Sequence, residues 1–119
     1  MEAAPAPEIL RVGPIEIRPA EYRALAGDQM LALTPHELEL LTALARRAGR
    51  IVDRKELYEV VWSRELRPDD RSVDVYVRRL RAKLAKELPG WTVIHTHVGF
   101  GYRLSPENSH VFHTPATPE

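Results

Sequence analysis

Residues 71–86 read RSVDVYVRRLRAKLAK and carry Arg71, Arg78, Arg79, Arg81, Lys83 and Lys86 against Asp74 alone, a local charge of +5. Most solvated helix faces mix Glu with Lys in pairs four residues apart, and this one does not. Val73, Val77, Leu80 and Leu84 recur at helical spacing and form one narrow apolar stripe. At about 100° per residue, Arg71, Val75, Arg78, Arg79, Ala82 and Lys86 fall broadly on the opposite side. Asp74 and Arg81 lie on one flank, Tyr76 and Lys83 on the other. The arginine guanidinium is a planar fork of fixed charge that grips a phosphate or pairs with two acceptors at once. The chemistry on offer is recognition of an anionic partner, with the small residues Val75 and Ala82 letting the helix approach closely.

The whole chain is electrically neutral, with 17 basic and 17 acidic side chains in 119 residues. Residues 1–45 hold seven acids and three bases. The neutral total thus hides an acidic first third and a basic helix, which weakens indiscriminate attraction to nucleic acid without excluding a specific site. Cysteine is absent, so disulfides and thiolate metal sites are excluded, in keeping with a reducing cytoplasm. No apolar run reaches the ~18–20 residues of a membrane span. The phosphate-cradling and nucleophile-elbow motifs of common enzymes are missing, and no enzymatic activity is expected. His95 and His97 share a strand face, and His110 and His113 follow, but no carboxylate is spaced to complete a zinc site. No metal, cofactor or small-molecule ligand is expected.

The elements that would position the basic helix follow from local signals. Pro-containing segments at 1–8 and 105–119 read as flexible ends around one folded body, residues 9–104. ILRV and IEIR flank Gly13-Pro14, and YRALA and QMLAL flank Gly27-Asp28, which suits short hairpin strands. Thr34, Pro35 and Glu37 form a capping box at the start of a first helix, with Gly49 placed to end it. Asp53 and Glu56 repeat the box before a second helix, with Leu57, Val60 and Val61 as its buried side. SRELRPDD reads as a loop. Asp69 or Asp70 caps the third helix, 70–86. WTVIHTHVGFGYRL reads as two strands meeting around Gly99-Phe100-Gly101, a hairpin over 92–104. Trp62, Trp91 and Tyr102 read as packed residues. Phe100, at the hairpin tip, is placed to meet DNA sugar or a partner protein.

Helix, loop, basic helix is the plan of a helix-turn-helix, whose second helix fits the major groove of B-DNA. LTPHELELLTALARRAGRIVDRKELYEVVW, DDRSVDVYVRRLRAKL and IHTHVGFGYRL resemble the winged-helix effector domains of OmpR/PhoB-class bacterial response regulators, over about residues 12–104. The resemblance implies an α+β fold: an N-terminal four-stranded antiparallel sheet, a three-helix core and a C-terminal β-hairpin wing. It implies a sequence-specific transcriptional regulator binding double-stranded DNA in the bacterial cytoplasm as part of a two-component system. Matched position by position, it implies base contacts from Asp74, Val75 and Arg79. Phosphate contacts would come from Arg71, Tyr76, Arg78, Arg81 and, at the wing, Thr96. The loop with Arg64, Glu65 and Arg67 matches the family segment that can touch RNA polymerase. A second copy on tandem half-sites is the implied partner on DNA.

Three departures bear on this expectation. Position 76 is often histidine in relatives and is tyrosine here. Val98 stands where relatives often carry a wing arginine that enters the minor groove, so the wing would sit shallower, with His97 as a pH-sensitive substitute. A receiver domain is missing from these 119 residues, which read either as an excised output domain or as a free-standing regulator. The alternative function is a protein-interaction module of the same fold with weak or no DNA binding of its own.

Overall fold

Ile15 and Ile17 are buried while Glu16 and Arg18 face the other way, the two-residue period of a strand with one wet face. The computed structural model describes residues 7–63 and 70–108. In it β1 (Leu10–Val12), β2 (Ile15–Arg18), β3 (Arg23–Ala26) and β4 (Gln29–Met30) form an antiparallel sheet in sequential order. Across the β2–β3 pair Ile17 opposes Ala24 and Ile15 opposes Ala26, large against small, so the inner face stays level for a helix. On the outer face Glu16 accepts from Arg18 Nε at 2.6 Å and from Arg11 Nε at 3.3 Å.

Three helices follow: α1 (Pro35–Arg46), α2 (Arg54–Trp62) and α3 (Ser72–Glu87). The first capping box forms as expected. Thr34 Oγ1 accepts from Glu37 N, and Glu37 Oε1 accepts from Thr34 N at 2.9 Å. The second forms by half. Asp53 Oδ1 accepts from Glu56 N at 2.7 Å, but the Glu56 carboxylate bonds Arg47 and Arg50 instead of reaching back. Leu40, Leu41 and Leu44 of α1, Leu57 of α2, and Val73, Val77 and Leu80 of α3 meet in one core with Ile15, Ile17, Val52 and Leu104. The chain then closes with β5 (Trp91–His97) and β6 (Gly101–Asn108), an antiparallel hairpin.

Several boundaries differ from the sequence expectation. Helix α1 ends at Arg46, three residues before Gly49, which takes its positive φ of 84° in the following turn and donates to Leu104 O. Val60 is 45% exposed, and Tyr58 takes its place on the buried side. Arg71, not an aspartate, occupies the N-cap of α3; Asp70 Oδ1 still accepts from Ser72 N at 2.8 Å. The flexible C-terminal segment begins too early at 105. Ser105–Asn108 continue β6, with Glu107 opposite Thr92 and Asn108 opposite Trp91. Pro106 is tolerated because the ladder is irregular there, between Thr92 and Ile94. A Cβ on Gly13 would sit 3.0 Å from Pro106 Cβ, so this end of the hairpin also packs against the β1–β2 turn. At the other boundary, Glu8 forms a two-pronged ion pair with Arg46, so it belongs with the folded body. Residues 1–6, 64–69 and 109–119, including Arg64, Glu65, Arg67, His110 and His113, lie outside the described residues.

Candidate nucleic-acid interface

Helix α3 has four sides with different surroundings. Its stripe of Val73, Val77, Leu80 and Leu84 is buried in the core. Its opposite face exposes Arg71, Arg78, Arg79, Ala82 and Lys86, with Val75 half-buried between them. The two flanks have separate tasks. Lys83 Nζ donates to the carboxylate of Glu37 and to Ala32 O, at 2.6 and 2.7 Å, tying α3 to the start of α1. Tyr76, two turns earlier on the same flank, packs edge-on to Trp62 and His36.

The other flank meets the wing. Arg81 donates to Ile94 O from Nε and Nη2, at 3.2 and 2.9 Å, and from Nη2 to Thr96 Oγ1 at 2.6 Å. Its guanidinium also lies 5.7 Å from the centre of the Tyr102 ring. Both residues expected to hold phosphate at this edge, Arg81 and Thr96, are thus bonded to each other. Asp74, expected to read a base, accepts from the Tyr102 hydroxyl at 2.6 Å on Oδ1, and Arg54 Nε lies 3.3 Å from the same oxygen. A helical wheel puts these side chains on the flank correctly but cannot see the strand that lies against it.

The wing is held on its far side as well. Val52, between α1 and α2, exchanges both backbone hydrogen bonds with Tyr102, at 2.8 and 2.9 Å. This approach requires glycine next door, since a Cβ on Gly101 would fall 2.1 Å from Val52 O. The hairpin turn presents Val98 and Phe100, 87% and 71% exposed. His97 Nε2 accepts from Arg103 Nε of the other strand at 3.0 Å. His95 Nε2 lies 2.8 Å from Ser105 O and therefore carries the proton that joins them. Among the described residues no cluster of three or more His, Asp or Glu side chains is arranged to hold a metal ion.

Arg54 and Lys55 are additions that the sequence reading missed. They open α2 and, with Asp53, Thr96, Val98 and Phe100, surround a cleft of about 360 Å³ between that helix and the wing. Arg54 Nη2 donates to Asp70 O at 3.1 Å, while its buried Nε finds no aligned hydrogen-bond partner among the described residues. One signal pointed there: two cations in the first turn of a helix oppose its dipole, so they answer to something outside the helix.

The model of the family described as "Transcriptional regulatory protein, C terminal" matches residues 28–104. The chain belongs to this OmpR/PhoB-class family of winged-helix domains. The OmpR/PhoB class is one of transcription regulators and not an enzyme class. The chain is 37% identical over 99 residues to the DNA-binding response regulator MtrA of Mycolicibacterium paratuberculosis, covering 83% of this chain and 44% of that protein. It is 38% identical over 93 residues to the alkaline phosphatase synthesis transcriptional regulatory protein PhoP of Bacillus subtilis, covering 78% of this chain and 39% of that one. It therefore spans less than half the length of these relatives. Among solved structures, the DNA-binding domain of CpxR from E. coli superposes with a TM-score of 0.75 at 32% identity, covering 82% of this chain and 96% of that one. The Klebsiella pneumoniae RstA DNA-binding domain in complex with the RstA box gives 0.74 at 31%, covering 82% and 97%.

Proposed function

We propose that this domain is a sequence-specific double-stranded DNA-binding transcription regulator, with α3 entering the major groove and the β5–β6 wing resting on the adjoining backbone. One observation carries the reading: Arg71, Arg78 and Arg79 stand exposed on the face of α3 opposite its buried stripe, with the small, half-buried Val75 between them. Arg79 and Val75 read base edges, and Arg71 and Arg78 grip phosphates. Asp74, Arg81 and Thr96, bonded to the protein's own groups, hold the helix and wing in register rather than gripping DNA. Arg54 and Lys55 at the α2–wing cleft add cations beside the hairpin. RstA, a relative at 31% identity, is described in complex with its DNA box, which supports the reading. The domain works in the bacterial cytoplasm, binds as a pair on tandem half-sites and communicates with RNA polymerase through residues 64–69.

Selection of bound duplexes from a random pool tests this. A direct repeat is expected. Arg79→Ala should then cost about 1–3 kcal/mol and relax preference at one base pair. An unchanged preferred sequence would remove Arg79 from the reading.

The exposed apolar pair Val98 and Phe100 favours a second reading, an interaction module that docks on another protein through the wing tip. It expects no mobility shift with any selected duplex at about 0.1 M salt, where counterion release still favours true binders.

A further inference from the structure

The Arg79 guanidinium carbon lies 5.0 Å from the centre of the Tyr76 ring. That ring is itself buttressed. Trp62 meets it at 5.4 Å and 66°, and His36 at 5.8 Å and 89°. Behind them Trp62 stacks on Tyr58 at 5.0 Å and 16°, and contacts His36 at 5.0 Å. Four aromatic rings from α1, α2 and α3 thus form a wall whose outermost member lies against one exposed arginine. We infer that Tyr76 is a positioning residue for Arg79: its ring, fixed by Trp62 and His36, holds the guanidinium over the outer face of α3 in the direction of the groove.

This inference rests on the DNA-binding reading above and names a determinant of its specificity. The physical basis is twofold. A cation within about 6 Å of a tyrosine ring centre is attracted by the ring quadrupole. An exposed arginine otherwise samples many rotamers, and ordering them on binding weakens affinity, so a side chain held in place beforehand loses less. A guanidinium over a ring still donates through its in-plane N–H groups. The contribution therefore belongs to the ring face and not to the hydroxyl, which separates it from a phosphate contact by Tyr76.

Fluorescence anisotropy tests it on the 119-residue chain. The probes are the duplex recovered from a random pool and its three substitutions at the base pair that Arg79→Ala relaxes. Tyr76→Phe keeps the ring and should keep the preference. Tyr76→Leu should lower the preference at that base pair about two- to fivefold, and should lower nothing further in an Arg79→Ala background. Circular dichroism confirms that each variant is folded. If Tyr76→Phe weakens all four duplexes alike and flattens the salt dependence, the hydroxyl grips phosphate and the proposal is overturned. If Tyr76→Leu costs as much without Arg79 as with it, the ring only packs, and the proposal is again overturned. If the wild-type chain binds none of the duplexes, the DNA-binding reading fails first and this inference falls with it.

Discussion

The Tyr102 hydroxyl donates to Asp74 Oδ1 across 2.6 Å, joining β6 of the wing to the first turn of α3. The same oxygen lies 3.3 Å from Arg54 Nε, so one carboxylate receives groups from the wing and from α2. A carboxylate between a hydroxyl donor and a guanidinium has little reason to leave, and it fixes the rotation of α3 about its axis. That rotation decides which side chains face outward.

Burial first, and then the bond to Asp74, pushes the Tyr102 hydroxyl up to about 12 from an ordinary 10.0. A raised value means that the folded protein keeps this proton longer than the unfolded chain does. The resulting stability is complete below pH 10 and is lost as pH climbs towards 12. Tyr102→Phe should cost about 1–2 kcal/mol near neutrality, since a hydrogen bond to a charged acceptor is lost. Urea titrations from pH 8 to 12 should show the wild type converging on the variant. A constant gap across that range would refute the assignment.

Arg78 and Arg81 are three residues apart and should fail differently. Arg78 is exposed, and its alanine variant should weaken binding to every duplex and reduce the salt slope by about one. Arg81 fastens Ile94 and Thr96 to α3. Arg81→Ala should lower the melting temperature and speed amide hydrogen exchange along β5, before any DNA is added. Equal melting temperatures for the two variants would mean that the fastening contributes nothing.

Glu37 is 2% exposed. Burial pushes its carboxyl up, but Lys83, the Thr34 N–H and the charge of Lys83 together outweigh this and hold it below the usual value. A lowered value contributes stability above the unfolded value of 4.5 that is lost as pH falls through the folded one. Lys83→Met should cost about 1–3 kcal/mol at pH 7, with the solvent exposure of the lysine keeping it towards the lower end. The loss should shrink below pH 4. Denaturant curves at pH 3 and 7 measure it, and an equal loss at both would show that the ion pair is not its source.

Gly101→Ala should be the most damaging of these changes. It places a methyl group 2.1 Å from Val52 O on a residue with φ of 140°. Overpacking of this kind typically costs about 1–3 kcal/mol, and the positive φ adds strain. Gly99→Ala, two residues away in open space, shares the positive φ without the collision. Comparing the two melting temperatures isolates the collision, and similar values would show that the wing yields.

The signals that were legible in the sequence are those confined to one element. The capping box of Thr34 and Glu37, the stripe of Val73, Val77, Leu80 and Leu84, and the turn at Gly99-Phe100-Gly101 each lie within a short window. What escaped depends on distant partners. The helical wheel puts Arg81 on a flank and the family resemblance implies a phosphate contact for it, but neither reveals a strand carbonyl 13 residues on. Asp74 looked like a lone acid among bases, whereas its partners Arg54 and Tyr102 lie 20 residues before and 28 after it. Pro106 looked like the start of a tail, because an irregular ladder that accommodates proline leaves no local mark. Val60 shows that a periodic pattern marks a side of the helix and not its exact edge.

Because Val52 pairs with Tyr102 on one side of the hairpin and Arg81 grips Ile94 on the other, the hairpin cannot swing independently of the helix beside it. The molecule behaves as a caliper with welded jaws. Its span is set by those hydrogen bonds and by core packing, so a target must match that gauge before any single side chain can distinguish one letter from another.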